Sequence, residues 1–148
     1  MAKWLSMLVF CCYSMSSFAF TCYFTAIKDS CWDNYNVTIN VYDAVSNASI
    51  LSVLIPQGSF WQRKRFECSA KQRFRYEANF NPVFWESDAG KSYFGVRFEQ
   101  LPDEISDREA AWNLSLCYPA DFAEVPFPPE GTSKCKCDKS QIPPIAPP

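Results

Sequence analysis

Three groups of residues could do chemistry, and the first is sulfur. Cys135-Lys136-Cys137 sets two thiols two positions apart. That spacing suits a redox pair, a clip for a soft metal, or two half-cystines leaving an extended segment on opposite sides. No second close pair completes a four-sulfur site and no Cys-x-x-Cys occurs. The third reading is therefore adopted, and no metal and no cofactor is expected. Of the 8 cysteines, Cys11 and Cys12 lie in an N-terminal leader and six remain: Cys22, Cys31, Cys68, Cys117, Cys135 and Cys137. An even set in an exported chain predicts three disulfides, and spacing alone does not choose among the fifteen pairings.

The second group is cationic and aromatic. Phe60-Trp61-Gln62-Arg63-Lys64-Arg65-Phe66 is followed by Lys71, Arg73 and Arg75, with only Glu67 opposing them. On paired strands Arg63 and Arg65 share one side, as do Arg73 and Arg75. A short connection at Ser69-Ala70 would bring both rows together. Trp61, Arg63, Arg65, Arg73 and Arg75 are thus the candidate binding residues. They would suit phosphate, sulfate, a glycan or an acidic protein, with Trp61 stacking on a sugar or ring. The plainer alternative is a solvated sheet face or a charged edge that resists aggregation. A net charge of -2 and a pI near 5.1 exclude nucleic acid as the expected occupant.

The third group is carboxylate. Glu86 or Asp88, just after Trp85, would be the first place to look for the acids of a glycosidase. Asp103, Glu104 and Asp107 form an acidic run that could hold calcium or act in catalysis, but that reads better as solvated charge at a helix start. The chain contains no histidine and only 4 glycines. Triads, His-containing zinc sites, imidazole bases and glycine loops for phosphate are therefore excluded. Bridged cysteines are not nucleophiles. No catalytic residue is assigned, and the chain is read as not an enzyme. Asn36, Asn47 and Asn113 begin acceptor triplets for N-glycosylation, whose use depends on the secretory route.

The elements that must position these groups read mostly as strands. Residues 1–19 have a cationic start, an apolar run at 4–13 and small residues Ser17 and Ala19 at cleavage spacing. This predicts a secretory signal peptide cut after Ala19, and about 10 apolar residues are too few to span a bilayer. In 35–43, Tyr35, Val37, Ile39 and Val41 alternate with polar residues. In 71–80, Phe74, Tyr76, Ala78 and Phe80 do the same, and in 92–99 Phe94, Val96 and Phe98 are expected to face inward. Trp112, Leu114, Leu116 and Tyr118 make a further apolar face. Less regular strands are expected at 22–27, 50–55, 60–68 and 83–86, with turns at 56–59, 81–82 and 87–91. A short helix is expected near 103–111, because Ser106 and Glu109 have capping-box spacing.

The predicted fold is mainly β, an antiparallel sandwich of seven or eight short strands over residues 20–118. Residues 119–148 hold 8 of the 11 prolines and should form an extended tail tied back by Cys135 and Cys137. Pro143, Pro144, Ile145 and Pro147 in its polyproline-type end are candidates for docking on a partner.

Two non-enzymatic roles fit this outline in the periplasm or outside the cell. In one, the sandwich docks onto a cell-envelope or secretion assembly through strand edges, its aromatic and basic face and its tail. In the other it carries a lipid or glycan. The chain is similar to small lipid-binding sandwiches with three disulfides in size, cysteine number and class alone, and no residue motif joins it to a family. Aromatic residues at 17% would tend to fill a carrier's cavity, so docking is preferred. A secreted glycan-active enzyme using carboxylates ranks third.

Overall fold

The computed structural model describes residues 19–132 and 134–146. The expected signal sequence before Ala19 and the docking residue Pro147 lie outside the described residues. Among the described residues, eight strands form two sheets. In chain order they are β1 (Phe20–Lys28), β2 (Asn36–Asp43), β3 (Ser49–Ile55), β4 (Trp61–Cys68), β5 (Arg73–Asn81), β6 (Tyr93–Phe94), β7 (Glu99–Gln100) and β8 (Trp112–Tyr118). The first sheet has the order β4-β1-β8 and the second β3-β2-β5-β6, with β7 also on β5. Most pairings are antiparallel as expected, but β8 runs parallel to β1, with Cys22 opposite Trp112 and Lys28 opposite Tyr118.

Period-2 alternation builds the core directly. Val37, Ile39 and Val41 of β2 and Phe74, Tyr76, Ala78 and Phe80 of β5 are buried, as are Trp112, Leu114, Leu116 and Tyr118 of β8. Across the sandwich Phe24 stacks on Tyr76 with ring centroids 5.7 Å apart, and Phe66 meets Phe74 edge-on at 5.8 Å. One end is closed by Trp32, in a 3-10 turn at Ser30–Trp32 that the Asp29 carboxylate caps by accepting from the Cys31 N–H at 2.9 Å. Lys28 is buried beside it. Its ammonium donates to the carbonyls of Tyr35 at 2.6 Å and Pro56 at 2.9 Å, which ties the end of β1 to two loops. Burial lowers its pKa from the ordinary lysine value, against the upward pull of Asp33.

The six cysteines pair as Cys22–Cys68, Cys31–Cys135 and Cys117–Cys137. The first staples β1 to β4. The other two take Cys135 and Cys137 to different partners, the 3-10 turn and the end of β8, so the close pair forms no redox couple. Asp29, Cys31 and Cys135 bring three ligand-type atoms within 4.8 Å of one another. The two sulfurs are bonded together, and neither offers a thiolate to a metal.

Three expectations are corrected. Residues 103–111 form no helix; they are exposed apart from Ala111, which is half-buried, and are closed only by a turn in which the Glu109 N–H donates to Ser106 O at 3.0 Å. Without an apolar stripe to pack, so short a segment does not repay helix nucleation. The Glu109 carboxylate, which a capping box would turn back on Ser106, accepts from the Trp112 indole at 2.7 Å instead. Residues 83–86 form no strand and lead into a second 3-10 turn, Glu86–Asp88. In 92–99 only Tyr93–Phe94 and Glu99 pair with β5, and the facing is opposite to that expected. Tyr93 is buried on Phe80, while Phe94, Val96 and Phe98 are 59%, 60% and 64% exposed. Shifting by one residue exchanges the two faces of any strand. Here Gly95 decides the side, because its N–H bonds Tyr76 O and a Cβ at that position would lie 3.2 Å from the Tyr76 Cβ.

The core phenols set an alkaline limit. Burial raises the pKa values of Tyr76, Tyr118 and Tyr93 above the ordinary phenol range, and burial with the Glu130 hydrogen bond pushes Tyr35 up to about 12. A raised folded-state value means that their stabilisation is complete below the unfolded pKa of about 10 and is lost as pH climbs above it. In an alkaline titration, these four phenolates are expected to form in the same pH window in which near-ultraviolet circular dichroism collapses. Four phenolates forming with that signal intact would contradict the burial.

Candidate docking face

The outer face of the first sheet is built by the residues that alternate with its core positions. β1 contributes Thr21, Tyr23, Thr25 and Ile27; β4 contributes Trp61, Arg63 and Arg65; β8 contributes Asn113 and Ser115. A polar chain crosses all three strands. The Arg63 guanidinium lies over the Trp61 ring at 5.6 Å and donates from Nε to Thr25 Oγ1 at 2.8 Å, and Thr25 in turn donates to Asn113 Oδ1 at 3.1 Å. Arg65 donates to Thr21 Oγ1 at 3.2 Å.

The C-terminal segment lies on this face. Past Cys137 a tight turn forms, with Ser140 donating to Asp138 and the Ile142 N–H to Lys139 O. The chain then passes over β1, where Arg63 Nη1 donates to Pro143 O at 2.9 Å. Thr25 and Ile27 face outward from the sheet yet are each only 1% exposed. Beside the segment are two open depressions. One of about 270 Å³ is lined by Ile27, Arg63, Asn113, Ser115 and Pro144, and one of about 540 Å³ by Tyr23, Arg65, Arg108, Glu109 and Ile145.

Of the residues expected to bind, Trp61, Arg63 and Arg65 therefore gather with Pro143, Pro144 and Ile145. Arg73 and Arg75 do not join them. β4 and β5 belong to different sheets, so the expected basic rows lie on opposite outer faces of the sandwich. The physical reason lies in the connection between them. Cys68 is bonded to Cys22, Lys71 adopts a positive φ of 64° and donates its N–H to Pro102 O, and the chain crosses to the other sheet. There Arg75 is engaged by Asn47, the Glu77 carboxylate and the Tyr42 ring, while Arg73 is exposed.

The carboxylates expected for a glycosidase also part company. Glu86 is exposed, whereas Asp88 is buried and paired with Lys91 at 3.1 Å. The run Asp103, Glu104 and Asp107 is exposed, as a solvated face would be. Of the acceptor asparagines, Asn47 is exposed in a turn, Asn36 Oδ1 accepts from the Gln57 N–H, and Asn113 is held by Thr25.

Sequence reasoning missed the outward stripe of Phe94, Val96 and Phe98, for which Gly95 was the available signal. It also missed Thr25 and Asn113, which look like any polar strand positions until β8 is placed beside β1. Fold and face together define a disulfide-bonded β-sandwich that carries its own C-terminal segment across one outer sheet. No family model, no curated protein and no solved structure matches the chain.

Proposed function

We propose that the protein is an exported, non-enzymatic docking module that seats on a larger assembly of the cell envelope or of a secretion system. The observation that carries this reading is the stripe of Phe94, Val96 and Phe98. These three large apolar side chains, within five residues of one another in the chain, stand more than half exposed. Large apolar side chains left in water so close together in the chain are a feature of interfaces. Arg97, between Val96 and Phe98 in the chain, lies 3.8 Å from Glu99 and 3.7 Å from Asp121, and interfaces commonly set such polar groups beside their apolar ones. The three disulfides favour an oxidising compartment, periplasmic or extracellular. Among the described residues no helix is long and apolar enough to cross a membrane.

Docking is preferred to carriage of a lipid or glycan because the space between the sheets is occupied by packed aromatic rings, Phe24, Phe66, Phe74 and Tyr76 among them. An acidic or glycan ligand would find Trp61, Arg63 and Arg65 on the outer face. The test is recovery of the chain, tagged between Ala19 and Phe20, from envelope and secreted fractions, followed by mass spectrometry. Envelope proteins at fixed stoichiometry are expected, falling at least tenfold with Phe94→Ser and Phe98→Ser together. A protein that runs alone with a bound small molecule sinks docking and leaves carriage as the role.

A further inference from the structure

The outer face of the first sheet and the segment lying on it have a relation that docking alone does not require. We propose that this face is a groove for an extended, proline-rich segment of a partner protein, and that residues 139–146 are a built-in occupant that closes it until such a segment displaces them. The proposal rests on the docking reading and names the partner's chemistry at one face.

Four observations carry it. The floor is covered: Ile27 and Thr25, whose hydroxyl bonds Arg63 and Asn113, are buried on an outer face, whereas Leu54, which points outward from β3, is half exposed. The cover is held lightly. Two disulfides fix the chain as far as Cys137, but among the described residues beyond it the hydrogen bond reaching the sandwich is the one from Arg63 to Pro143 O. The others, Ser140 to Asp138 and Ile142 to Lys139, stay within the segment. The cover is also incomplete, because the depressions of about 270 and 540 Å³ remain open on the same sheet.

The fourth observation is chemical. Pro143 and Pro144 have no N–H, so this part of the segment offers the sheet carbonyls and apolar rings. The sheet answers in kind, with a guanidinium on a carbonyl and Ile27 beneath, and it continues toward Arg65 and Arg108 around the larger depression. A proline-rich segment arrives already extended and loses little entropy on binding, which is why aromatic-lined grooves select it, and Trp61 and Tyr23 stand on this face. A tethered occupant competes at an effective concentration in the millimolar range. A partner segment overcomes that advantage by filling the larger depression as well.

The probe is a synthetic peptide with the sequence of residues 139–148, titrated by calorimetry into three proteins exported in the same way. These are the full chain, a chain ending at Ser140, and that shortened chain carrying Arg63→Ala. The shortened chain keeps all six bridged cysteines. It is expected to bind the peptide at least tenfold more tightly than the full chain does, and Arg63→Ala is expected to weaken that binding at least fivefold. Equal affinity for full and shortened chains, or no binding to a shortened chain with native circular dichroism, overturns the proposal. If shortening prevents folding, Ile142→Ser with Ile145→Ser in the full chain loosens the cover and leaves the groove unchanged. Peptide affinity must then rise at least fivefold, and no rise overturns the groove. Envelope partners recovered while the peptide fails would remove the groove and leave docking standing. Peptide binding with no envelope partner recovered would remove docking itself.

Discussion

Trp32→Ala is expected to cost about 4 kcal/mol of folding stability, within the range found for deleting a buried aromatic. The indole is 1% exposed at the closed end of the sandwich. Its ring centroid lies 4.8 Å from those of Phe80 and Tyr118, 5.2 Å from Tyr35 and 6.1 Å from Phe84, so it is the common neighbour of residues from β5, β8 and the segments just before β2 and after β5. Removing it leaves a cavity whose walls belong to different elements held by separate sheets, and such walls do not collapse easily. For a domain of this size the midpoint should fall by roughly 15 °C. Trp85→Ala is the matched control, since that ring is 57% exposed, and it should change stability by less than about 0.5 kcal/mol. Similar losses for the two variants in urea denaturation would refute the packing described for Trp32.

The second large effect is covalent. Replacing Cys31 and Cys135 together by alanine removes a bridge spanning 104 residues, against 46 for Cys22–Cys68 and 20 for Cys117–Cys137. On the chain-entropy account, longer loops restrict the unfolded state more, and the loss is about 4 kcal/mol. The order of damage for the three double replacements should follow loop length, with Cys31 and Cys135 first. The same pair also holds neighbouring contacts. The Thr132 N–H donates to Cys31 Sγ at 3.2 Å, and Glu130 accepts from the Tyr35 hydroxyl at 3.0 Å. Urea midpoints for the three variants check the order, and a loss below about 1 kcal/mol for the longest bridge would contradict the account.

The inner faces of β2, β5 and β8 were legible because a strand's two sides are written in its own residues. Val37, Ile39 and Val41 need no distant information to be assigned inward. The even cysteine set likewise implied bridges, and the two turns around Gly58 and Gly90 announced themselves. The stretch 92–99 was legible as alternating but not as to side. Its apolar residues at 94, 96 and 98 outnumber Tyr93, and only the approach of Gly95 to Tyr76 turns them out. The helix expected at 103–111 failed for the converse reason: its local signals were present, and no tertiary surface received them.

The candidate face was half legible. Trp61, Arg63 and Arg65 stand out in the chain, as do Pro143, Pro144 and Ile145. Nothing in either run tells that they meet, because 80 residues separate Arg63 from the carbonyl of Pro143 it bonds. Arg73 and Arg75 were placed with them on the assumption that strands adjacent in sequence pair. That holds for β2 and β3 and fails for β4 and β5.

By itself, then, the sequence determined the β character, the buried sides of three strands, a disulfide-bonded state and the exclusion of imidazole chemistry, all of which depend on residue type and near spacing. Only the tertiary structure decided which cysteines pair, which sheet each strand joins, which side of 93–98 meets water and where the C-terminal segment lies. Those outcomes turn on small free-energy differences between contacts tens of residues apart, and such differences leave no mark in the local order of residues.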